Sequence, residues 1–288
     1  MLVARRARLA RLVPIVALAA LVVGVGVISL AAAPARAGGK GIPQVTVVVR
    51  DGRVEAPQGV PTGFVAFTYE NRGTAPFFGA LVRLQAGVTP AGFGQAVASE
   101  GFEAFERLVA AALSGPAFLA PGTSQTFVVE IRAGTHLLMD FSAEEEEGPP
   151  AIGAVIQGTP PPAATEPPEA RGTIVASEFF FQVPAIPAGT STFAFTNAGR
   201  QVHHMLVFRL APGVTLAEAL AAEEQGMDPF EAGLVTPGNG ALELTPGETV
   251  YPTLSFTPGT YAMVCFIEDP ATGQPHAELG MVREFTVR

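Results

Sequence analysis

The second half of the chain repeats the first, and this internal repeat constrains the fold more than any other feature of the sequence. Residues 63–89 match residues 189–215 without a gap, at an offset of 126. The match continues at an offset of 125, where Leu119, Pro121-Gly122, Gly134-Thr135 and Phe141 pair with Leu244, Pro246-Gly247, Gly259-Thr260 and Phe266. Because glycine, proline and aromatic positions agree together, we predict one domain present in two copies.

Each copy is predicted to be a β-sandwich. Runs of alternating or β-branched residues bounded by Gly, Pro and Asn predict strands, in the first copy at residues 45–49, 63–69, 80–84 and 126–131. In the second copy they fall at residues 172–181, 192–196, 205–210, 249–256, 259–266 and 282–287. A short helix follows a Gly-Val-Thr turn in each copy; in the second it is predicted at residues 216–224, with Thr215 as N-cap and Glu218 at capping-box spacing. This pattern predicts an all-β fold of two tandem sandwiches, each with a short helical insert.

A proline-rich stretch separates the copies. Residues 159–170 have the composition of an extended linker, because proline lacks an N–H donor and fixes φ. The predicted domains are therefore residues 38–158 and 171–288. Four consecutive glutamates at residues 144–147 predict a solvated loop just before the linker.

The first 37 residues predict export. Arginines 5, 6, 8 and 11 precede an apolar run at residues 12–33, and Ala35-Arg36-Ala37 fits a signal-peptidase site. The apolar run is also long enough to span a bilayer, so both a cleaved signal peptide and an uncleaved membrane anchor remain open. Either way, everything after residue 38 is predicted to be secreted, periplasmic or on the cell surface.

Charge and cysteine content narrow the partners. Without the first 37 residues the chain has 12 basic and 26 acidic residues, a formal charge of −14, which excludes nucleic acid and anionic lipid as favourable partners. The single cysteine, Cys265, can form no internal disulfide. A lone thiol in an oxidising compartment requires another explanation, such as burial, intermolecular pairing or a bound metal.

Soft metal-ligating residues are concentrated in the second copy. His203 and His204 follow the turn that starts at Asn197, Cys265 ends a predicted strand, His276 follows eleven residues later, and Met281 lies where the last strand begins. Two imidazoles, a thiolate and a thioether that converge at one end of a sandwich suit copper. The alternative is that Cys265 and Met281 are ordinary core residues and that the histidines are surface polar groups.

The order His…Cys…His…Met resembles that of the cupredoxins, the plastocyanin-like blue copper proteins. Residues 197–208 and 259–265 look like the segments that carry the first copper histidine and the ligand cysteine. This resemblance implies two cupredoxin-like Greek-key sandwiches and copper ligands at His203, Cys265, His276 and Met281. His204 stays open as the alternative to His203, although strand alternation favours His203. The loop between Cys265 and His276 is longer than in plastocyanin.

The first copy lacks every candidate ligand. The positions aligned with the five candidates hold Phe77, Phe78, Asp140, Ala151 and Ile156, whereas His136 aligns with Tyr261 and lies off the site. Any copper site is therefore confined to residues 171–288, and the first copy is a degenerate cupredoxin-like domain.

The function predicted on these grounds is that of an exported type 1 copper protein that carries single electrons or holds copper, with an unidentified redox partner. A metal-free exported binding or structural module is the alternative. We predict that the protein is not an enzyme, because four histidines are too few for additional copper clusters and no hydrolase motif is present.

Overall fold

The computed structural model describes residues 41–142 and 150–288. The predicted export segment and the glutamate run at residues 144–147 lie outside these ranges. Among the described residues, no helix combines the length and the apolar character needed to cross a membrane.

The first domain is a β-sandwich with two short helices. Its elements are, in chain order, β1 (Gln44–Arg50), β2 (Arg53–Glu55), β3 (Gly59–Asn71), β4 (Gly79–Leu84), α1 (Pro90–Glu100), α2 (Phe102–Leu108), β5 (Val109–Ala112), β6 (Ser124–Ile131), β7 (Gly134–Asp140) and β8 (Ala151–Ala164). In one layer β3 pairs in parallel with β1 and antiparallel with β6; in the other, β4 pairs with β5 and β7. The long strand β8 joins the layers, because it pairs with β7 along its first part and with β3 further on.

The second domain repeats this plan. Its elements are β9 (Thr173–Ser177), β10 (Phe180–Gln182), β11 (Gly189–Thr192), β12 (Ala194–Asn197), β13 (His203–Leu210), α3 (Leu216–Glu224), β14 (Val235–Pro237), β15 (Ala241–Leu244), β16 (Thr249–Phe256), β17 (Gly259–Val264) and β18 (Val282–Val287). One layer has β9 parallel to β12, with β11 and β12 antiparallel to β16. In the other layer β13 pairs with β14, β15 and β17, and β17 pairs with β18.

The predicted repeat recurs in the local structure at the same offset. Asn71 is buried and its side chain bonds the carbonyls of Ala75 and Leu119 and the N–H of Gly73. Asn197 makes the three equivalent bonds, to the carbonyls of Gln201 and Leu244 and the N–H of Gly199. Each asparagine thus fixes the turn that leads into the next inner strand.

The predicted helix in the second domain is confirmed. Helix α3 spans Leu216–Glu224 as predicted, and Thr215 and Glu218 form the capping box. The Thr215 hydroxyl accepts the Glu218 N–H, and the Glu218 carboxylate in turn accepts the Thr215 N–H, so two N–H groups at the helix start gain partners.

Strand pairing joins the two domains. Tyr251 and Pro252 of β16 pair with Val128 and Phe127 of β6. The chain after β5 runs alongside β15, where Leu113 pairs with Leu244 and the Ser114 N–H bonds the Glu243 carbonyl. The two interiors form one continuous apolar cluster.

Two predicted boundaries differ from the structure. Residues 159–164 of the predicted linker belong to the end of β8, where Thr159 pairs with Pro61 and Ala164 with Gly63. Proline removes a donor but keeps its carbonyl acceptor, so an extended Pro-rich run can form a peripheral strand. The single strand predicted at residues 172–181 is a hairpin, because β9 turns at residues 178–179 and pairs with β10.

Candidate metal centre

Three neighbouring strands bring His203, Cys265, His276 and Met281 to one end of the second sandwich. His203 opens β13, Cys265 directly follows β17, and Met281 directly precedes β18. His276 lies in the loop between β17 and β18. Since β17 pairs with both β13 and β18, these residues converge although up to 78 positions separate them in the sequence. All four are completely buried.

Three ligand atoms form a compact triangle. His203 Nδ1 lies 3.1 Å from His276 Nδ1. Cys265 Sγ lies 3.5 Å from His276 Nδ1 and 4.0 Å from His203 Nδ1. The triangle has acute angles, and the point equidistant from its corners lies inside it, about 2.1 Å from each atom, close to the metal–nitrogen and metal–sulfur bond lengths of about 2.0–2.3 Å. The arrangement is the His₂Cys trigonal set that suits copper.

Strand alternation separates the two adjacent histidines. His203 points with Met205 and Val207 toward the sandwich interior, whereas His204 points to the opposite face. There the His204 Nε2 accepts the Phe266 backbone N–H at 2.8 Å, so this nitrogen already has a partner. Of the two histidines, His203 is therefore the one that lies beside Cys265 and His276, and its role as a ligand stays a prediction.

Met281 is held beside Cys265 by the backbone. The Cys265 N–H donates to the Met281 carbonyl at 3.2 Å, and the Met281 N–H donates to the His276 carbonyl at 2.8 Å. The Met281 side chain is buried in the same apolar cluster as Cys265. Its role as a fourth, axial ligand stays a prediction.

The long loop from Cys265 to His276 is itself folded. Asp269 closes it: its N–H donates to the Gln274 carbonyl at 2.8 Å, its carbonyl accepts the Gly273 N–H at 2.7 Å, and its carboxylate accepts the Thr272 hydroxyl at 2.7 Å. The His276 N–H then returns to the Ile267 carbonyl at 2.8 Å. The loop forms a small hairpin, so its length does not prevent His276 from reaching Cys265.

Polar groups that the sequence did not single out orient both imidazoles. His276 Nε2 lies 2.8 Å from Gln201 Oε1, and the Gln201 amide donates to the Asp269 carboxylate at 2.9 Å. A carboxylate oxygen of Glu178 lies 3.5 Å from His203 Nε2, which is buried and makes no hydrogen bond. The Gln201 acceptor keeps the His276 proton on Nε2, and the negative charge of Glu178 favours a proton on His203 Nε2, so that each Nδ1 lone pair can face the triangle. Of Gln201, Asp269 and Glu178, Gln201 is the one that lies within a segment singled out in the sequence, residues 197–208.

Burial sets the protonation states of the three groups. Burial raises the pKa of the Cys265 thiol to about 12. Burial, with a further contribution from His276, lowers the pKa of His203 to about 4, and burial also lowers the pKa of His276. At neutral pH both imidazoles are therefore neutral and can donate a lone pair, whereas the thiol must lose its proton to become a ligand.

Three features together decide the fold. They are the parallel first strand pair, the two-layer sandwich, and the His…Cys…His…Met order along β13, β17, the following loop and β18. The fold is cupredoxin-like. The predicted resemblance is thus confirmed at the level of fold, with two such sandwiches in tandem, and the second contains a His-Cys-His group suited to copper.

Several solved structures are similar to this chain at low identity. Auracyanin from Roseiflexus castenholzii is 23% identical over 41% of this chain and 95% of its own, with a TM-score of 0.28. A multicopper oxidase variant from Aquifex aeolicus is 12% identical over 86% of this chain and 66% of its own, with a TM-score of 0.29. A copper-containing nitrite reductase from Thermus scotoductus is 10% identical over 85% of this chain and 61% of its own, with a TM-score of 0.23.

At these identities and TM-scores the three structures assign no role to this chain, and the cupredoxin-like fold rests on its own strand order and on the His203–Cys265–His276 triangle. No protein-family model and no curated protein matches the chain.

The prediction that the protein is not an enzyme is corrected by these structures. Those that match 85% and 86% of the chain are named as a reductase and an oxidase, so the grounds given above do not exclude an enzyme. The prediction rested on the small number of histidines, which limits additional copper clusters, and on the lack of a hydrolase motif; neither excludes catalysis at a single metal site. Within the described residues, His203, Cys265 and His276 are the one group of three or more His, Cys, Asp or Glu side chains close enough to share a metal ion.

Proposed function

We propose that the second domain binds one copper ion through His203, Cys265 and His276, with Met281 as a weak axial ligand, and that the protein transfers single electrons at this site. The triangle of 3.1, 3.5 and 4.0 Å between the three ligand atoms is the observation that carries the proposal. Copper supplies a one-electron couple in a site of this composition.

The protein's contribution is to hold the ligands in place before metal arrives. Each ligand is buried, and each is tied to a rigid element: His203 to β13, Cys265 to the β17–β18 ladder, and His276 to the folded loop. Gln201 fixes the His276 ring through the 2.8 Å contact to its Nε2. A site that is preorganised and closed to water changes little when its charge changes, which favours electron transfer.

The proposal extends to compartment and partners. The basic and apolar segment at the N-terminus supports export, as a secreted or periplasmic protein or as one attached to the membrane through that segment. Fractionation of the native host together with N-terminal sequencing of the mature chain distinguishes cleavage from anchoring. The redox partner is proposed to be another protein or a small carrier outside the cytoplasm, and not a nucleic acid, since the exported part has a charge of −14.

Copper titration of the purified protein tests the metal site. We expect one Cu(II) per chain and an intense blue thiolate charge-transfer band that ascorbate bleaches and an oxidant restores. Cys265→Ser should abolish the band, and since Cys265 is the sole cysteine no other thiol can replace it. A colourless protein, or a band that survives Cys265→Ser, refutes the proposal.

A further inference from the structure

Glu178 contacts the metal centre from a different part of the sandwich. It lies in the turn between β9 and β10, 25 positions before His203 in the sequence. Its Oε1 atom accepts the backbone N–H groups of Arg200 and Gln201 (the latter at 2.9 Å) and lies 3.5 Å from His203 Nε2. The His203 side chain is fully buried and that of Glu178 is 24% exposed, so this carboxylate borders both solvent and the metal centre.

The contact depends on the absence of a side chain at Gly199. A Cβ atom there would lie 2.5 Å from Glu178 Oε1 and 2.8 Å from His203 Nε2, too close to either atom. Gly199 therefore allows the carboxylate and the ligand ring to approach each other, in a turn that the Asn197 side chain already holds.

The first domain has a carboxylate on the equivalent turn but no candidate metal ligand, so it shows what such a carboxylate does for the fold alone. Asp51 accepts the Thr74 N–H at 2.7 Å and the Thr74 hydroxyl at 2.9 Å, and a Cβ at Gly73 would lie 2.8 Å from the same Asp51 oxygen. Thr74 and Gly73 are the equivalents of Arg200 and Gly199. A carboxylate that holds this turn is therefore common to both domains.

Only in the second domain does the carboxylate also face a ligand. The first domain has Phe77 where the second has His203, so Asp51 has no ring nitrogen to meet. The second domain uses glutamate, one methylene longer and one alignment position later, and its oxygen reaches both the turn and the Nε2 atom. Holding the turn accounts for the contacts to Arg200 and Gln201, but not for the approach to His203.

We propose that Glu178 is a positioning residue for the metal centre: its carboxylate keeps the His203 proton on Nε2, directs Nδ1 toward the metal and favours Cu(II) over Cu(I). This inference rests on the proposed copper site. A negative charge beside the Nε2–H makes the imidazole a stronger donor and stabilises the more highly charged metal. Such outer carboxylates change metal affinity by about 10–100-fold in other sites.

Glu178→Gln is the discriminating variant. The glutamine carbonyl can still accept the Arg200 and Gln201 N–H groups, so the turn keeps its partner while the charge is lost. We expect the blue band to persist and the Cu(II)-to-Cu(I) affinity ratio to fall about tenfold, which raises the midpoint potential by about 59 mV for one electron. Asp51→Asn, the same change on the equivalent turn of the first domain, should leave the potential unchanged.

The outcomes separate the two proposals. If the wild-type protein gives no blue band, the proposed copper site fails. If the wild type is blue but Glu178→Gln leaves the potential unchanged, or Asp51→Asn shifts it equally, the positioning role of Glu178 fails alone.

A second measurement needs no variant. In the metal-free wild-type protein, ¹⁵N NMR of the His203 ring should place the proton on Nε2. A proton on Nδ1 would refute the inference even if Glu178→Gln did not fold.

Discussion

Copper binding should release one proton per metal ion at neutral pH. The Cys265 thiol is fully buried, and burial raises its pKa to about 12, so at pH 7 it is protonated in the metal-free protein. Removing its proton at pH 7 costs about 7 kcal/mol, since five pH units separate the two values at about 1.4 kcal/mol each. Cu(II) must supply at least this free energy by bonding the thiolate.

The imidazoles should contribute no protons. Burial lowers the pKa of His203 to about 4 and also lowers that of His276, so both rings are neutral at pH 7 and present lone pairs. The net release is therefore one proton and not two or three. The apparent affinity for Cu(II) should rise about tenfold per pH unit between about pH 7 and pH 9.

Calorimetric titration of copper in two non-coordinating buffers with different ionisation enthalpies measures the release directly. The slope of the observed enthalpy against the buffer enthalpy should correspond to one proton. Cys265→Ser is the matched control and should release none, with much weaker binding. A slope of zero for the wild type would mean that the thiol does not become a ligand, and a slope of two would mean that an imidazole is protonated in the free protein.

Three further predictions concern single side chains. Asn197→Ala and Asn71→Ala should each lower the free energy of unfolding by about 3 kcal/mol, because each removes three side-chain hydrogen bonds that are partly or fully buried. Only Asn197→Ala should weaken copper binding, and equal copper affinity in both variants would contradict this. His204→Phe, which introduces the residue found at the equivalent position 78, should keep one copper per chain and lose about 1–2 kcal/mol in chemical denaturation, since one N–H loses its acceptor. His136 is buried, and burial lowers its pKa from 6.5 to about 4. The neutral ring therefore stabilises the fold fully above pH 6.5, and about 3 kcal/mol of the free energy of unfolding is lost as the pH falls to 4. His136→Leu should flatten this acid dependence relative to wild type.

The sequence identified the features whose causes are local. Helix α3 was predicted to the residue, because its N-cap Thr215 and the Glu218 of its capping box lie only three positions apart. The inner strands were predicted because Gly, Pro and Asn mark their ends. The convergence of His203, Cys265 and Met281 was predicted because each lies beside a strand end and the ends of neighbouring strands must converge, whereas His276 was placed with them by the family resemblance.

Features that depend on contacts between distant segments were missed. The end of β8 was interpreted as linker, since nothing within residues 159–164 reveals that β3 lies alongside to accept it. Glu178 was not considered at all, because its significance arises from a contact with His203 on another layer of the sandwich. The boundary between β9 and β10 was missed for the same reason. The hairpin is fixed by strand pairing, and the apolar residues of both strands form one continuous run that predicts a single strand.

The comparison of the domains also shows what fills the space of the candidate ligands in the described part of the first domain. Phe77, at the position of His203, points into the core, and its ring occupies the space that a Cβ at Gly79 would need. The second domain has Met205 at the position equivalent to Gly79, so the two domains differ in the space left beside this strand as well as in the candidate ligands. Restoring a histidine at position 77 would therefore leave a void beside Gly79, with Asp140 instead of a thiolate opposite it. In the first domain the absence of the candidate ligands and the filling of their space therefore occur together, which is why the proposed copper site is assigned to the second domain alone.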